Sequence, residues 1–298
     1  MDTSPGQEGQ GSRDGVAVVT DSTNCLPPEM IERWGVHEVS LYVGWGDDRR
    51  PEPEYDIDDF YARLRDTADL PSTSQPSVGD FLACFEPLAE AGRDIVSVHI
   101  ASGLSGTFES ATEAARVVAD KGLPGRVEVV DSSTGAGGLG VLVLAAARAA
   151  ERGLAVDEVV EAVRQARAGL EMWFCLDTLE YLRRGGRIGA AQAMVGTALK
   201  IKPILTFGTE IKPVGRVRTK RRAMEQMVAY LHELRERGAD EWFVQHAQSQ
   251  GDADTLVAEG TAILGGEPLF CTQVGPVLGA HLGSGMLVGG IGCEPSAD

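Results

Sequence analysis

The chain has 298 residues, 44 acidic and 27 basic side chains, and a formal net charge of -17. An acidic surface repels phosphate backbones and anionic lipids, which excludes nucleic acid and a membrane surface as bulk partners. Hydrophobic residues make up 43% and charged residues 24%, as in ordinary globular proteins with a sizeable core.

The N-terminal residues 1–14 are polar and rich in glycine, so we expect a disordered tail and no signal peptide there. The five cysteines lie far apart, which excludes a zinc-finger spacing and favours free thiols in a cytoplasmic protein. The longest apolar run, at 137–147, is shorter than the roughly 20 residues that a membrane span needs. We therefore expect no stable membrane insertion.

Residues 15–170 alternate predicted strands and helices. Short apolar runs predict strands at 16–20, 36–43, 94–100 and 126–130. Helical spacing and capping signals predict helices at 27–34, 56–68, 77–90 and 105–120, one ending near Gly153, and one at 157–170. A charged loop is predicted at 44–54. This order is typical of a parallel, doubly wound sheet.

The pattern changes after residue 170. Strands are predicted at 172–176, 202–207, 210–217, 242–246, 269–274 and 286–291, and helices at 178–184, 189–199, 219–237 and 252–264. The second and third of these strands predict a hairpin around Gly208 and Thr209. We therefore predict a two-domain α/β protein, with a parallel Rossmann-like N-terminal domain at 15–170 and a mixed-sheet α/β domain at 171–298.

Polar loops follow three predicted strands of the N-terminal domain, and a fourth precedes a helix. They contain Asp21, Ser22, Thr73, Ser74, Gln75, Ser105, Gly106, Thr107, Asp131 and Ser132. Ligands of open parallel sheets bind beyond the carboxyl ends of the strands, so these loops predict a ligand crevice. Ser, Thr and Gly also form ordinary turns and helix caps, which is the alternative for any single loop.

Ser105 begins a predicted helix, and backbone N–H groups at a helix N-terminus stabilise a bound anion. A carboxylate or phosphate at this position is the interpretation that we favour. The alternative is a serine hydrolase, because residues 103–107 resemble the first part of a nucleophile elbow, with Thr107 in place of the last glycine. Its base would be His281, which lies in a glycine-rich sequence predicted to be a loop. No second metal ligand accompanies His281, so a zinc site is not expected.

A basic segment stands out in this acidic chain. Between Arg183 and Arg222 there are eleven bases and one acid, a local charge of +10. The segment is either a solvated positive face or a docking site for an anion or an acidic partner. Within it, two glycines precede Arg187, where they would admit a phosphate close to the guanidinium.

Taken together, these motifs resemble the DegV family of bacterial fatty-acid-binding proteins. The matching sequences run in family order from about residue 16 to 291. They are TDST at 20–23, TSQPS at 73–77, SGLSGT at 102–107, DS at 131–132, the segment 182–187 with its GGR, KIKP at 200–203, RT at 218–219 and GAHLG at 279–283. Each motif is weak alone, but the ordered set is specific.

The resemblance implies a DegV-like fold that buries one long-chain fatty acid as its ligand, without a cofactor or metal. It implies that Thr73 and Ser105 hold the carboxylate, with His281 close by. A helix N-terminus together with the hydroxyls of Ser105 and Thr73 suits this task, because a carboxylate cannot be buried unpaired without a large cost. A carrier of another amphipathic anion stays open as an alternative.

The resemblance further implies a protein without turnover of its own. It would present the fatty acid to a separate ATP-dependent kinase subunit, which makes an acyl phosphate for phospholipid synthesis. Arg187 and Arg218 correspond to arginines associated with phosphoryl transfer or kinase docking in the family. We expect the protein to be a cytoplasmic monomer.

Overall fold

The computed structural model describes residues 15–196 and 201–292. The predicted disordered tail at 1–14, the end of the helix predicted at 189–199, Lys200 and Cys293 lie outside these residues. No helix within the described ranges is long and apolar enough to cross a membrane. The described cysteines, Cys25, Cys84, Cys175 and Cys271, are free thiols.

The strands, in chain order, are β1 (Ala17–Asp21), β2 (His37–Val39), β3 (Tyr42–Trp45), β4 (Asp48–Pro51), β5 (Ser72–Ser74), β6 (Ile95–His99), β7 (Val127–Asp131), β8 (Glu171–Leu176), β9 (Lys202–Phe207), β10 (Ile211–Val217), β11 (Glu241–Ala247), β12 (Cys271–Gln273) and β13 (Gly285–Ile291). The α-helices are α1 (Pro28–Trp34), α2 (Ile57–Asp66), α3 (Val78–Glu90), α4 (Thr107–Asp120), α5 (Gly137–Glu151), α6 (Val156–Ala168), α7 (Glu180–Arg184), α8 (Lys220–Glu236), α9 (Gln250–Leu264) and α10 (Pro276–Leu282). Short 3-10 helices cover Ser22–Asn24, Glu52–Glu54 and Gly189–Met194.

The N-terminal part is built on a parallel sheet in the order β2-β1-β6-β7, which confirms the prediction from strand and helix alternation. β1 and β6 are buried along their whole length, as expected for central strands of a parallel sheet that is covered on both faces. Helix α3, with a capping box formed by Ser77 and Asp80, packs beside α4.

The C-terminal part is built on a mixed sheet in the order β10-β9-β8-β13-β11-β12. Its pairs are antiparallel, except for the parallel pair of β11 with β12. Helices α8 and α9 cover one face, where Tyr230 and Leu256 are fully buried. The mixed sheet and the β9–β10 hairpin confirm the predictions made for this part of the chain.

Helix α5 joins the two parts, because it contacts β1 and β6 on one side and β11 and β13 on the other. Its glycines permit this close packing: a Cβ on Gly137 would lie 2.4 Å from the ring of Phe243. No sheet within the described residues combines strands from both sides of residue 170. The exact domain boundary stays a prediction.

The prediction of a charged loop at 44–54 is wrong, because these residues contain the end of β3, a turn and β4. β3 pairs with β4 and β5 in a small antiparallel sheet, and the strand predicted at 36–43 divides between β2 and β3. Asp48, Arg49 and Arg50 are exposed, so β4 has a charged sequence although its backbone is paired. Gly44 is required here, since a Cβ would lie 1.9 Å from the carbonyl oxygen of Asp48.

The glycine-rich loop predicted around His281 is also wrong, because this sequence forms the buried helix α10. Its glycines leave space for side chains from elsewhere in the chain. A Cβ on Gly279 would lie 2.5 Å from the hydroxyl of Tyr61, and one on Gly275 would lie 2.4 Å from the carboxylate of Glu52. The glycines therefore serve helix packing, which a single sequence does not distinguish from loop formation.

Candidate functional site

A cavity of about 350 Å³ lies between the two parts of the chain and has the size of a small-molecule site. Its apolar lining consists of Leu41, Ile100, Leu104, Leu182, Phe207, Ile211, Val277, Leu278 and Leu282. Its polar lining consists of Thr73, Ser74, Gln75, Ser105, Arg187 and His281. The three residues that the sequence predicts for carboxylate binding thus line one cavity.

Thr73 and His281 are 208 positions apart in the chain and form a hydrogen bond. Thr73 lies in β5, opposite Val43 of β3, and its Oγ1 is 2.8 Å from Nε2 of His281 in α10. Burial lowers the pKa of His281 to about 4, and the positive charge of Arg187 acts in the same direction. The imidazole is therefore neutral at pH 7.

The other ring nitrogen of His281 faces the first glycine of the Gly-Gly-Arg motif. Nδ1 is buried and has no hydrogen-bond partner among the described residues. A Cβ on Gly185 would lie 2.3 Å from it, so only glycine leaves room for the ring. Two sequence motifs, around Gly185 and around His281, therefore belong to one packed unit.

Ser105 lies in the turn before α4, and its Oγ is 2.8 Å from Oγ1 of Thr107. The N–H groups of the first turn of α4 have no partner within the helix and point towards this turn. Gln75 approaches the same turn, donating from Nε2 to Oγ of Ser110 at 2.9 Å. A Cβ on Gly106 would lie 2.2 Å from Oε1 of Gln75, so this glycine lets the segment that follows β5 pack against α4.

Arg187 connects these groups through backbone carbonyls. Its Nε donates to the carbonyl oxygen of Leu104 at 3.1 Å, and Nη1 donates to that of Gly185 at 2.8 Å. Leu104 precedes Ser105, and Gly185 packs on His281, so one continuous set of contacts links all the predicted carboxylate ligands. Arg187 as a whole is exposed to solvent.

Arg218 is placed differently. It lies between β10 and α8, is exposed, and is not part of the cavity lining. The structure therefore brings Arg187 to the cavity and leaves Arg218 on the surface of the basic segment. The docking role of both arginines stays a prediction.

The remaining predicted residues hold the loops together. Asp21 is fully buried, and its Oδ2 accepts hydrogen bonds from the N–H of Ile100 and from Nδ1 of His99, each at 3.0 Å. Ser22 Oγ accepts from the N–H of Leu41 at 3.1 Å. Ile100 and Leu41 both line the cavity, so these contacts shape its wall.

A second loop contact involves Asp131, which accepts from the hydroxyl of Ser102 at 2.6 Å and from the N–H of Ser133 at 2.7 Å. Ser132 is buried, and its hydroxyl bonds to Thr134 within the same turn. Like Asp21, Ser22, Gly106 and Thr107, these two residues lie outside the cavity lining. Their contacts position the turn that leads to Ser105.

The geometry does not form a serine hydrolase triad. Among the described residues, no hydrogen bond joins Ser105 to His281, and no carboxylate orients the buried Nδ1. Ser105 also lacks the left-handed backbone conformation found at Cys25, Ser133, Ala136 and Gln248. The described ranges contain no group of three or more side chains suited to a metal ion.

Sequence reasoning did not identify the apolar half of the cavity. Leu41, Phe207 and Ile211 come from three different elements, and nothing in their local sequence distinguishes them from other core residues. The sequence also does not single out Glu52, because the charged residues around it predict a loop. Its burial, with 6% of its surface exposed, is unusual for glutamate and becomes visible only in the structure.

The fold and the site define a two-domain α/β protein whose apolar cavity ends in hydroxyls, a neutral imidazole and a guanidinium. The family model described as "Uncharacterised protein, DegV family" matches residues 15–293, and the chain belongs to the DegV family.

Relatives and solved structures agree with this assignment. The chain is 40% identical to a DegV domain-containing protein of Streptomyces coelicolor over 279 residues, covering 91% of this chain and 96% of the relative. The structure of DegV from Bacillus subtilis, a fatty acid binding protein, is 31% identical with a TM-score of 0.83, covering 93% and 99%. A DegV family protein from Thermus thermophilus, described for its fatty acid binding, is 32% identical with a TM-score of 0.81 and the same coverage.

Proposed function

We propose that this protein binds a long-chain fatty acid in the cavity, with the carboxylate at Thr73, Ser105 and His281. The observation that carries the proposal is that one cavity joins an apolar wall to these three polar groups. Each buried methylene contributes about 0.8 kcal/mol, so the wall supplies affinity without many polar contacts. Fatty acid binding by the relatives from Bacillus subtilis and Thermus thermophilus supports the choice of ligand.

The hydrogen bonds already present indicate which protons are available to the carboxylate. We assign the proton of the neutral His281 ring to Nε2, which donates to Thr73, because Nδ1 has no partner. The hydroxyl proton of Thr73 is then free to bind the ligand. We likewise assign Thr107 as the donor in its hydrogen bond with Ser105, which leaves the hydroxyl proton of Ser105 for the carboxylate. The guanidinium of Arg187 adds a positive charge at the cavity.

The protein then presents the bound acid to a separate ATP-dependent kinase and has no turnover of its own. Support comes from the position of Arg187, which lines the cavity and is also exposed, so the head group lies next to the protein surface. Arg218 extends the positive surface for a partner or a nucleotide phosphate. The cytoplasmic location and the monomeric state stay predictions from the sequence.

Analysis of the bound ligand tests the proposal. Freshly purified protein is denatured, and the released compounds are identified by mass spectrometry. We expect a long-chain fatty acid, and we expect delipidated protein to bind added oleic acid. Release of a different amphipathic anion would favour the alternative carrier. The proposal is refuted if the protein releases no lipid and delipidated protein does not bind oleic acid.

Removal of single hydroxyl groups tests the head-group assignment. Thr73→Val and Ser105→Ala should each weaken oleic acid binding by about 1–3 kcal/mol, the usual cost of a lost hydrogen bond to a charged group. Titration calorimetry on delipidated protein gives the affinities. Thr112→Val is the matched control, because its exposed hydroxyl donates to the carbonyl oxygen of Phe108 within α4 and lies outside the cavity lining. Unchanged affinity in both test variants would contradict the assignment, and labelling of Ser105 by a serine-directed phosphonate would favour the hydrolase.

A further inference from the structure

Glu52 is attached through its backbone to the small sheet that carries Thr73. It begins the 3-10 helix after β4, and its N–H donates to the carbonyl oxygen of Leu41 at 2.9 Å. Leu41 lines the cavity and directly precedes β3, which pairs with β5. A shift of Glu52 relative to its surroundings would therefore be transmitted to the strand of Thr73.

The side chain of Glu52 is attached to α10, the helix that carries His281. Its Oε1 accepts a hydrogen bond from the N–H of Val277 at 2.8 Å. The residue at the cap position of α10 is Gly275, which has no side chain to accept this bond, so Glu52 replaces a local cap. Val277, Leu278 and Leu282 of this helix also line the cavity.

Burying a glutamate side chain costs free energy of desolvation, so a contact that compensates for this cost is expected. Burial raises the pKa of Glu52 to about 7, and its Oε2 has no hydrogen-bond partner among the described residues. An apolar side chain of similar volume would avoid this cost of desolvation. The bond to Val277 is the contact that such a side chain would lose.

We propose that Glu52 is a positioning residue, which holds α10 against the β3–β4–β5 sheet and so sets the Thr73–His281 hydrogen bond. This inference rests on the proposed function, in which that pair receives the fatty acid carboxylate. Glu52 itself lies outside the cavity lining. Its effect on binding passes through His281.

Three substitutions at Glu52 separate the effect of its hydrogen bond to Val277 from the effect of its charge. Glu52→Gln keeps the length and an acceptor oxygen, Glu52→Asp keeps the charge but is one methylene too short to reach Val277, and Glu52→Leu removes both. We expect the Leu and Asp variants to bind oleic acid about tenfold more weakly and the Gln variant to stay within about threefold of the native protein. If Glu52→Leu does not fold, the Asp and Gln variants give the same contrast.

A double-mutant cycle with His281→Ala distinguishes positioning from a general structural role. If Glu52 acts through His281, Glu52→Asp should weaken oleic acid binding less than about twofold in the His281→Ala background. Equal weakening in both backgrounds would overturn the inference, and so would full affinity of the Asp and Leu variants.

A second readout does not depend on binding. In ligand-free protein labelled with ¹⁵N-histidine, the ring resonances of His281 should change in Glu52→Asp and stay in place in Glu52→Gln. Glu38→Gln is the matched control, since its carboxylate bonds to the amide of Asn24 and not to α10. Unchanged His281 resonances in the Asp variant would overturn the inference, even if the protein binds no fatty acid.

Discussion

The charge state of His281 follows from its surroundings and not from its ordinary pKa. Burial lowers that pKa to about 4, and Arg187 adds to the effect. A neutral ring can take part in a directed hydrogen bond with Thr73 without placing an unpaired charge in a buried position. In the proposed complex, the carboxylate is therefore held by oriented hydrogen bonds, with Arg187 as the exposed positive charge at the site.

Glu52 should make stability depend on pH in the direction opposite to most carboxylates. Burial raises its pKa from 4.5 to about 7, with further increases from Asp21 and Glu38, while the hydrogen bond from the N–H of Val277 acts to lower it. The folded protein then binds a proton that the unfolded chain has released, so stability falls as pH rises through this range.

Denaturant unfolding of the native protein and Glu52→Gln at pH 4 and pH 8 measures this effect. Relative to the Gln variant, the native protein should lose about 3 kcal/mol of unfolding free energy between these pH values. Groups common to both proteins, including His281, cancel in the difference. A stability difference that does not change with pH would contradict the assignment.

At the level of elements, two short helices contribute residues to the proposed head-group site. α7 ends just before Gly185, and His281 of α10 packs against that glycine. The two helices contact each other, although neither is long enough to be stable alone. Their arrangement depends on the space left by glycines, and a single methyl group at the right position should disturb it.

Gly185→Ala tests this arrangement. The added Cβ would lie 2.3 Å from Nδ1 of His281 and 3.1 Å from the carbonyl oxygen of Tyr181, so the ring must move. We expect oleic acid to bind about tenfold more weakly, since displacing His281 breaks its bond to Thr73. Gly251→Ala is the control, because nothing lies within 4 Å of its Cβ. Equal affinities for the two variants would show that the contact is unimportant for binding.

At the level of the whole molecule, the basic segment is less positive than its sequence indicates. Several of its bases form ion pairs with acids beyond its ends. These pairs are Arg183 with Glu180, Lys202 with Asp177, Lys220 with Asp252, and Arg221 and Arg222 with Glu225. Such exposed pairs stabilise the fold little, but they offset charge locally. Arg187 and Arg218 remain the arginines of interest for docking.

Charge reversal at Arg218 separates docking from lipid binding. Because Arg218 is exposed and outside the cavity lining, Arg218→Glu should leave oleic acid affinity unchanged. Acyl phosphate formation with an ATP-dependent fatty acid kinase should fall at least about tenfold, as expected for a lost charge contact at an interface. Arg116→Glu, an exposed arginine outside the basic segment, is the control. Normal acyl phosphate formation by Arg218→Glu would refute the docking role.

The sequence by itself determined the parallel N-terminal sheet and the mixed C-terminal sheet, because apolar periodicity and strand order are local signals. It also named Thr73, Ser105 and His281, which the structure brings to one cavity. The motifs carried that prediction, since their order along the chain indicated the family.

Only the tertiary structure decided the β3–β4–β5 sheet, helix α10 and the role inferred for Glu52. The charged sequence of β4 is typical of a loop, because exposed side chains do not indicate whether the backbone is paired in a sheet. Gly275 and Gly279 resemble turn glycines, although they make room for Glu52 and Tyr61, more than 200 positions away. Contacts between such distant residues follow from packing of the whole chain, and local patterns do not encode them.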